Sequence, residues 1–271
     1  MREIELLLCE ILNCNRADLY LNNPRLSQPD PEKIVLLKAT IKRRMQSEPI
    51  QYILGKTEFM GLEFRVAPGV FIPRPETEIL VEKAISISHI AYRISPAAKI
   101  LDIGTGSGNI AVSLAKNIKN VNIVAVDISQ QAIELAKENA QLHSVKNKIE
   151  FIKADLFTIC DKRYAICDFD MIISNPPYIK TQDIEHLAPE IKYEPRIALD
   201  GAEDGLKFYR QIIKKAADYL KEEGYLLMEM GFNQSEAIKD IINETKQFEI
   251  IETVLDYSGI ERVIVLKLSN Q

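Results

Sequence analysis

Lys99-Ile100-Leu101-Asp102-Ile103-Gly104-Thr105-Gly106-Ser107-Gly108 reads as a short apolar strand running straight into a glycine-rich turn. A helical pattern follows, with Ile110, Val112, Leu114, Ala115 and Ile118 apolar. Strand, turn and helix together are the context in which closely spaced glycines become meaningful. Glycine lets the backbone pass close to a ligand, and the following helix aims free N–H groups at it. A second strand, Val121-Asn122-Ile123-Val124-Ala125-Val126, ends at Asp127, where a carboxylate can accept from both hydroxyls of a ribose. These features predict a nucleotide pocket in an open α/β sheet, for a dinucleotide or for S-adenosylmethionine. The dinucleotide fingerprint is spaced G-x-G-x-x-G to admit a pyrophosphate. The spacing here is G-x-G-x-G, which disfavours an NAD-dependent oxidoreductase.

A second motif lies downstream. The run Phe169-Asp170-Met171-Ile172-Ile173-Ser174 reads as a buried strand, short, rich in Ile and bounded by a Pro-Pro breaker. It delivers Asn175-Pro176-Pro177-Tyr178 to a carboxyl end, where open α/β sheets place their chemistry. The Asn amide offers one acceptor and two donors, and can grip another planar NH2 group. The prolines fix φ and remove two backbone donors, leaving carbonyls free to accept. Tyr178 offers a flat face for stacking. In isolation an Asn-Pro pair is a turn; beside the glycine motif it fits a site for a conjugated amine or amide nitrogen.

The glycine motif, with Asp102 just before it, resembles the first motif of the Rossmann-like class I methyltransferases. That resemblance makes Gly104, Thr105, Gly106, Ser107 and Gly108 cofactor-binding. It gives Asp127 the ribose, with Ile128 next to it. Asp155, after the strand Ile149–Lys153, lies near the adenine amino group, with Leu156 beside the ring. Asp155 reads equally well as the N-cap of the next segment.

Composition narrows the partners. The 271 residues are 46% hydrophobic with net charge −5, enough for one large domain and a small one and without the basic stripe of a duplex-binding domain. Lys42-Arg43-Arg44, a compact basic run, reads as a solvated helix end, with a local acidic or RNA contact as the alternative. Leu6-Leu7-Leu8 is too short to span a membrane and is flanked by Glu3, Glu5 and Glu10, which suggests a cytoplasmic protein. Cys9, Cys14, Cys160 and Cys167 lack C-x-x-C spacing, and with His89, His143 and His186 they suggest no metal site.

Residues 1–56 look helical. Ile4, Leu7, Leu8 and Ile11 form one apolar face and Ile34, Leu37 and Ile41 another, punctuated by Pro24, Pro29 and Pro31. Residues 57–85 read as a β-hairpin around Gly61 and an extended proline segment, Val70 to Pro75, that starts a helix. Residues 86–271 form the large domain, with a helix over Leu206–Leu220, a strand over Gly224–Met230, a helix over Ser235–Thr245, and strands over Phe248–Val254 and Arg262–Leu268.

The whole chain resembles the release-factor glutamine methyltransferases (HemK/PrmC type). Three blocks carry the resemblance: Phe71-Ile72-Pro73-Arg74-Pro75-Glu76-Thr77-Glu78; Leu101 to Gly108; and Ser174 to Ile179 with Tyr193-Glu194-Pro195-Arg196, Ala198-Leu199-Asp200-Gly201 and Asp204-Gly205-Leu206. Asp200-Gly201 departs from the Gly-Gly of many members. The resemblance implies a mixed seven-stranded sheet with the last strand inserted antiparallel. It implies methyl transfer from S-adenosylmethionine to the glutamine of the Gly-Gly-Gln motif of class I peptide-chain release factors, which the N-terminal domain helps to dock. Asn175, Pro176 and Tyr178 are then catalytic, with Pro177 and Phe71 also against the substrate and Asn175 also near the cofactor. Arg74 is open to two readings, facing the cofactor's carboxylate or pairing with Glu76 or Glu78. The alternative function is a DNA or RNA amino-methyltransferase acting on adenine or guanine, which would need a recognition domain or a basic face.

Overall fold

The computed structural model describes residues 3–21, 30–91, 97–158 and 168–269. Three helices open the chain: α1 (Glu3–Leu12), α2 (Pro31–Met45) and α3 (Ile50–Leu54). Asp30 caps α2 by accepting from the Glu32 N–H, with Pro31 at the first helical position. Gly55, at φ 72°, ends α3 in the left-handed conformation that glycine adopts cheaply. The apolar faces are narrower than expected. Leu7 is buried, but Ile4 and Ile34 are exposed, because three short helices offer too little surface to cover one another. Pro24, Pro29, Cys160 and Cys167 lie outside the described residues, as does the side chain of His89.

Strands β1 (Lys56–Phe59) and β2 (Leu62–Arg65) pair antiparallel around Met60-Gly61. Both turn residues have positive φ, as a two-residue hairpin turn requires. The proline segment then feeds α4 (Glu76–Ala91). The large sheet follows: β3 (Ala98–Ile103), α5 (Asn109–Asn117), β4 (Val121–Asp127), α6 (Gln130–Leu142), β5 (Ile149–Lys153), β6 (Phe169–Ser174), α7 (Lys207–Ala216), β7 (Leu220–Glu229), α8 (Ser235–Thr245), β8 (Phe248–Leu255) and β9 (Glu261–Leu268). Strand order is β5-β4-β3-β6-β7-β9-β8, with β9 antiparallel to both neighbours. This is the mixed sheet and inserted last strand that the sequence led us to expect.

One expected boundary moves. The helix ends at Ala216, and the strand begins at Leu220 rather than Gly224. Leu220 pairs with Phe169 and Tyr225 with Met171, so Lys221–Gly224 bulge out of register. Three charged residues at a sheet end are solvated more cheaply in a bulge than in a ladder, and Glu223 takes a positive φ to allow it.

Alternation along the strands splits the core. Ile100, Ile123, Met171, Ile173, Leu227 and Val265 face one way, against Leu80, Val81 and Ala84 of α4 and Ile110 and Leu114 of α5. Leu101, Val124, Ile172, Leu226 and Leu266 face the other, against Ile212 of α7 and Ile238 of α8. Each such aliphatic side chain contributes about 1.5–3 kcal/mol on full burial. Among the described residues no helix is long and apolar enough to cross a membrane.

Candidate active site

The chain turns from β3 outward to β4 and β5, then returns to β6 on the other side of β3. That reversal opens a crevice between the carboxyl ends of β3 and β6. Ile103 pairs with Ser174 across them, and the Ser174 hydroxyl donates to the Ile103 carbonyl at 2.9 Å. Register therefore sets Gly104 beside Asn175, although 71 residues separate them.

A cleft of about 410 Å³ opens there. Gly104, Thr105, Gly106, Ser107, Asp127, Ile128, Asp155, Leu156, Asn175, Pro176, Pro177, Tyr178 and Phe71 all line it. Gly108 does not line the cleft. A Cβ there would lie 2.9 Å from the Ala136 Cβ, so that glycine serves the close packing of the turn on α6. Gly104 and Gly106 have positive φ and open space where a side chain would point, the geometry of a backbone bordering a ligand.

The acids of the turn are costly to ionise. Burial pushes Asp102 up to about 7, with Asp127 raising it further and the Thr105 hydroxyl, at 2.6 Å, opposing. Among the described residues no donor lies within hydrogen-bond geometry of its Oδ1, although the Ala111 main chain also favours its charge. Burial also raises Asp127, whose oxygens accept from the Gly106 N–H at 2.9 Å and the Ser129 N–H at 2.8 Å. A carboxylate has about four lone-pair sites, so these main-chain donors leave Asp127 capacity for a ligand hydroxyl. Asp127 lines the cleft and Asp102 lies buried behind it, so an acid and not a basic side chain borders the glycine turn, which opposes a pyrophosphate.

Asp155 is exposed and lines the cleft, while the capping contact runs the other way: the Thr158 hydroxyl accepts from the Asp155 N–H at 3.2 Å. Leu156 adopts φ 45°, unusual for a bulky residue, and turns along the cleft wall.

Asn175 sits against α4 and β7. Its Nδ2 donates to Thr77 Oγ1 at 3.1 Å, and the Thr77 hydroxyl donates to Glu229 at 2.6 Å. Neither Thr77, which stands within the Phe71–Glu78 block, nor Glu229 is assigned a role by the sequence. An acid in the apolar strand Tyr225–Met230, buried on both faces, is the signal that marks it. Gln234 was also missed. Its Nε2 donates to the Tyr178 carbonyl at 2.9 Å, fixing the exit of the tetrapeptide.

Arg74 pairs with Glu194, not with Glu76 or Glu78, and its guanidinium lies 4.7 Å over the Phe71 ring. Glu194 also accepts from the Ile72 N–H, so the Tyr193–Arg196 segment pins the proline segment. The basic run is likewise engaged: Arg43 pairs with Glu48, and Arg44 bridges Glu3 and Glu190. Asp200, where many resembling chains have Gly, takes the Thr181 hydroxyl at 2.6 Å and the Ala202 N–H at 3.0 Å, which stabilises the loop in a conformation an acid tolerates.

Comparison with known proteins agrees with this geometry. Residues 94–261 match the family model of a methyltransferase domain, and residues 1–55 that of the PrmC N-terminal domain. The release factor glutamine methyltransferase of Thermodesulfovibrio yellowstonii is 40% identical over 99% of this chain and 93% of its own length. That of Geobacter sulfurreducens is 43% identical over 97% of this chain and 87% of its own. The hMettl16 catalytic domain shares the fold, with a TM-score of 0.58 at 14% identity, covering 89% of this chain and 84% of that one.

Proposed function

The chain belongs to the release factor glutamine methyltransferase family, and from that premise we propose that it methylates the side-chain amide nitrogen (N5) of the glutamine in the Gly-Gly-Gln motif of class I peptide-chain release factors. The methyl donor is S-adenosylmethionine. The protein works in the cytoplasm, without stable nucleic-acid binding. Residues 1–56 dock the release factor, 57–85 link, and 86–271 carry the reaction.

A pair of acceptors at the end of β6 carries this reading. Asn175 Nδ2 is engaged by Thr77. Among the described residues no donor reaches Asn175 Oδ1 or the Pro176 carbonyl. Two such acceptors suit the two hydrogens of a primary amide NH2. The donor brings a sulfonium-activated methyl group, so the protein's task is positioning. Asn175 and Pro176 hold the glutamine nitrogen in line with the methyl. Tyr178 and Phe71 bracket the amide plane, Arg74 backing one face of Phe71. Asp127 holds the ribose, Asp155 the adenine amino group, and Ile128 and Leu156 flank the ring. The proton freed by transfer leaves to water.

Mass spectrometry of a purified class I release factor, after incubation with this protein and S-adenosylmethionine, tests the proposal. A single methyl on the Gly-Gly-Gln glutamine supports it. An unmodified peptide, with methyl transfer to nucleic acid in a parallel tritium assay, moves the substrate to an adenine or guanine amine.

A further inference from the structure

Strand register brings a buried acid to the reacting end of the sheet. Ser174 pairs with Met228 across β6 and β7, so Asn175 and Glu229 leave the sheet side by side. Glu229 is 2% exposed and does not line the cleft. It accepts from Thr77, which accepts from Asn175 Nδ2. Thr77 is 1% exposed at the start of α4, over the end of β7.

A hydroxyl has one hydrogen to give. An ionised carboxylate has none, so Thr77 gives its hydrogen to Glu229 and must accept from Asn175. The NH2 end of the Asn175 amide satisfies that demand, and the carbonyl end does not. A reversed amide would set Oδ1 against the Thr77 hydroxyl, leaving that oxygen and the Glu229 carboxylate to share one hydrogen in a buried site. The surrounding groups fit an anion that is confined but countered. Arg262 on β9 favours its charge, Glu76 on α4 opposes it, and Tyr178 and Tyr209 lie close by. The Tyr209 hydroxyl donates to the Glu229 main-chain carbonyl at 2.8 Å, fixing the strand end.

We propose that Thr77 and Glu229 are positioning residues for methyl transfer, locking the Asn175 amide with its nitrogen inward and its oxygen toward the substrate amide. This rests on the reading of Asn175 as the residue that grips the glutamine.

Thr77→Val removes the hydroxyl and keeps the shape; Thr77→Ser keeps the hydroxyl. With release factor and S-adenosylmethionine, Thr77→Val is expected to lower kcat about 10- to 100-fold, with KM and S-adenosylhomocysteine affinity changing less than about twofold. Thr77→Ser recovers most of that loss. Added to Asn175→Ala, Thr77→Val brings no further loss. A second measurement needs no substrate. In 15N-asparagine-labelled full-length protein, the Asn175 NH2 signal is identified by its absence in Asn175→Ala. It should exchange with solvent at least about tenfold faster in Thr77→Val than in wild type or Thr77→Ser. If Thr77→Val does not fold, Glu229→Gln, which can donate as well as accept, is expected to speed the same exchange. Wild-type exchange in the variant overturns the proposal, and so does a kcat loss that adds in full to that of Asn175→Ala. If wild-type protein leaves the release factor unmodified, the functional reading fails, and the exchange rates alone decide whether the amide is locked.

Discussion

Glu194 and Ile72 stand 122 residues apart in sequence, yet the Glu194 carboxylate accepts the Ile72 N–H at 3.0 Å. The same carboxylate pairs with Arg74. Both edges of the cleft, the proline segment and the Tyr193–Arg196 loop, are therefore held by one buried acid. Glu194→Ala leaves a buried N–H and the partly exposed Arg74 without their acceptor. It is expected to cost about 2–3 kcal/mol, read as a lower urea midpoint at unchanged slope, and to raise KM for the release factor more than it changes cofactor affinity, because Phe71 loses its backing.

Asp127 is tied to the glycine turn by two main-chain N–H groups. Asp127→Ala removes the carboxylate proposed to hold the ribose and frees those donors together. Calorimetry is expected to show S-adenosylhomocysteine binding weakened about 10- to 100-fold, one to two charge-assisted hydrogen bonds. Intact affinity would contradict the ribose assignment.

Gly205 supports the tetrapeptide from behind. It has φ 76°, and a Cβ there would sit 2.4 Å from the Tyr178 carbonyl. Gly205→Ala cannot relieve that contact without moving Tyr178 or releasing Gln234 from the same carbonyl. It is expected to cost about 1–3 kcal/mol in strain and to reduce turnover more than cofactor affinity, as a thermal melt and steady-state kinetics would reveal.

Arg44 links α1 to the loop beside the cleft through Glu3 and Glu190, and the Tyr193 hydroxyl reaches the Gln46 carbonyl at 2.7 Å. Both carboxylates are exposed, so Arg44→Ala is expected to cost under about 1 kcal/mol. Its effect is expected on KM for the release factor, since the helices proposed to dock it lose their tie to the Glu190–Tyr193 loop. A peptide of the Gly-Gly-Gln segment, too short to reach α1, should show no such change.

The sheet was legible because its strands are apolar and end in recognisable turns: β6 and β5 lie where the pattern set them. The cleft lining was legible for a related reason, since glycine spacing and Asn-Pro-Pro-Tyr state their chemistry locally. Glu229, Thr77 and Gln234 were not. Their roles come from pairing across β6 and β7 and from the docking of α4, contacts 56 to 152 residues long that no local pattern encodes. Gly108 shows the complementary limit. It shares the motif's spacing but packs on Ala136, which periodicity cannot distinguish from a ligand contact.

One proton on Glu229 should govern stability and turnover in opposite directions. Burial raises Glu229 to about 7, with Thr77, Arg262 and Asn175 opposing and Glu76 adding to the rise. Asp102 is raised to about 7 as well. Between the ordinary carboxylate range and pH 7 the native state therefore holds more protons than the unfolded chain, and stability falls as pH rises through that window. A tenfold change in proton affinity is worth about 1.4 kcal/mol, so the two acids together should lower stability by a few kcal/mol from pH 5 to 8. Turnover moves the other way. A protonated Glu229 can donate to Thr77, which then gives its hydrogen to Asn175 and no longer accepts from Nδ2. At saturating cofactor, kcat is expected to climb with an apparent pKa near 7, and Glu229→Gln should flatten both that limb and half of the stability loss. A flat kcat profile in wild type, with stability falling as described, would mean that the acid titrates without steering the amide.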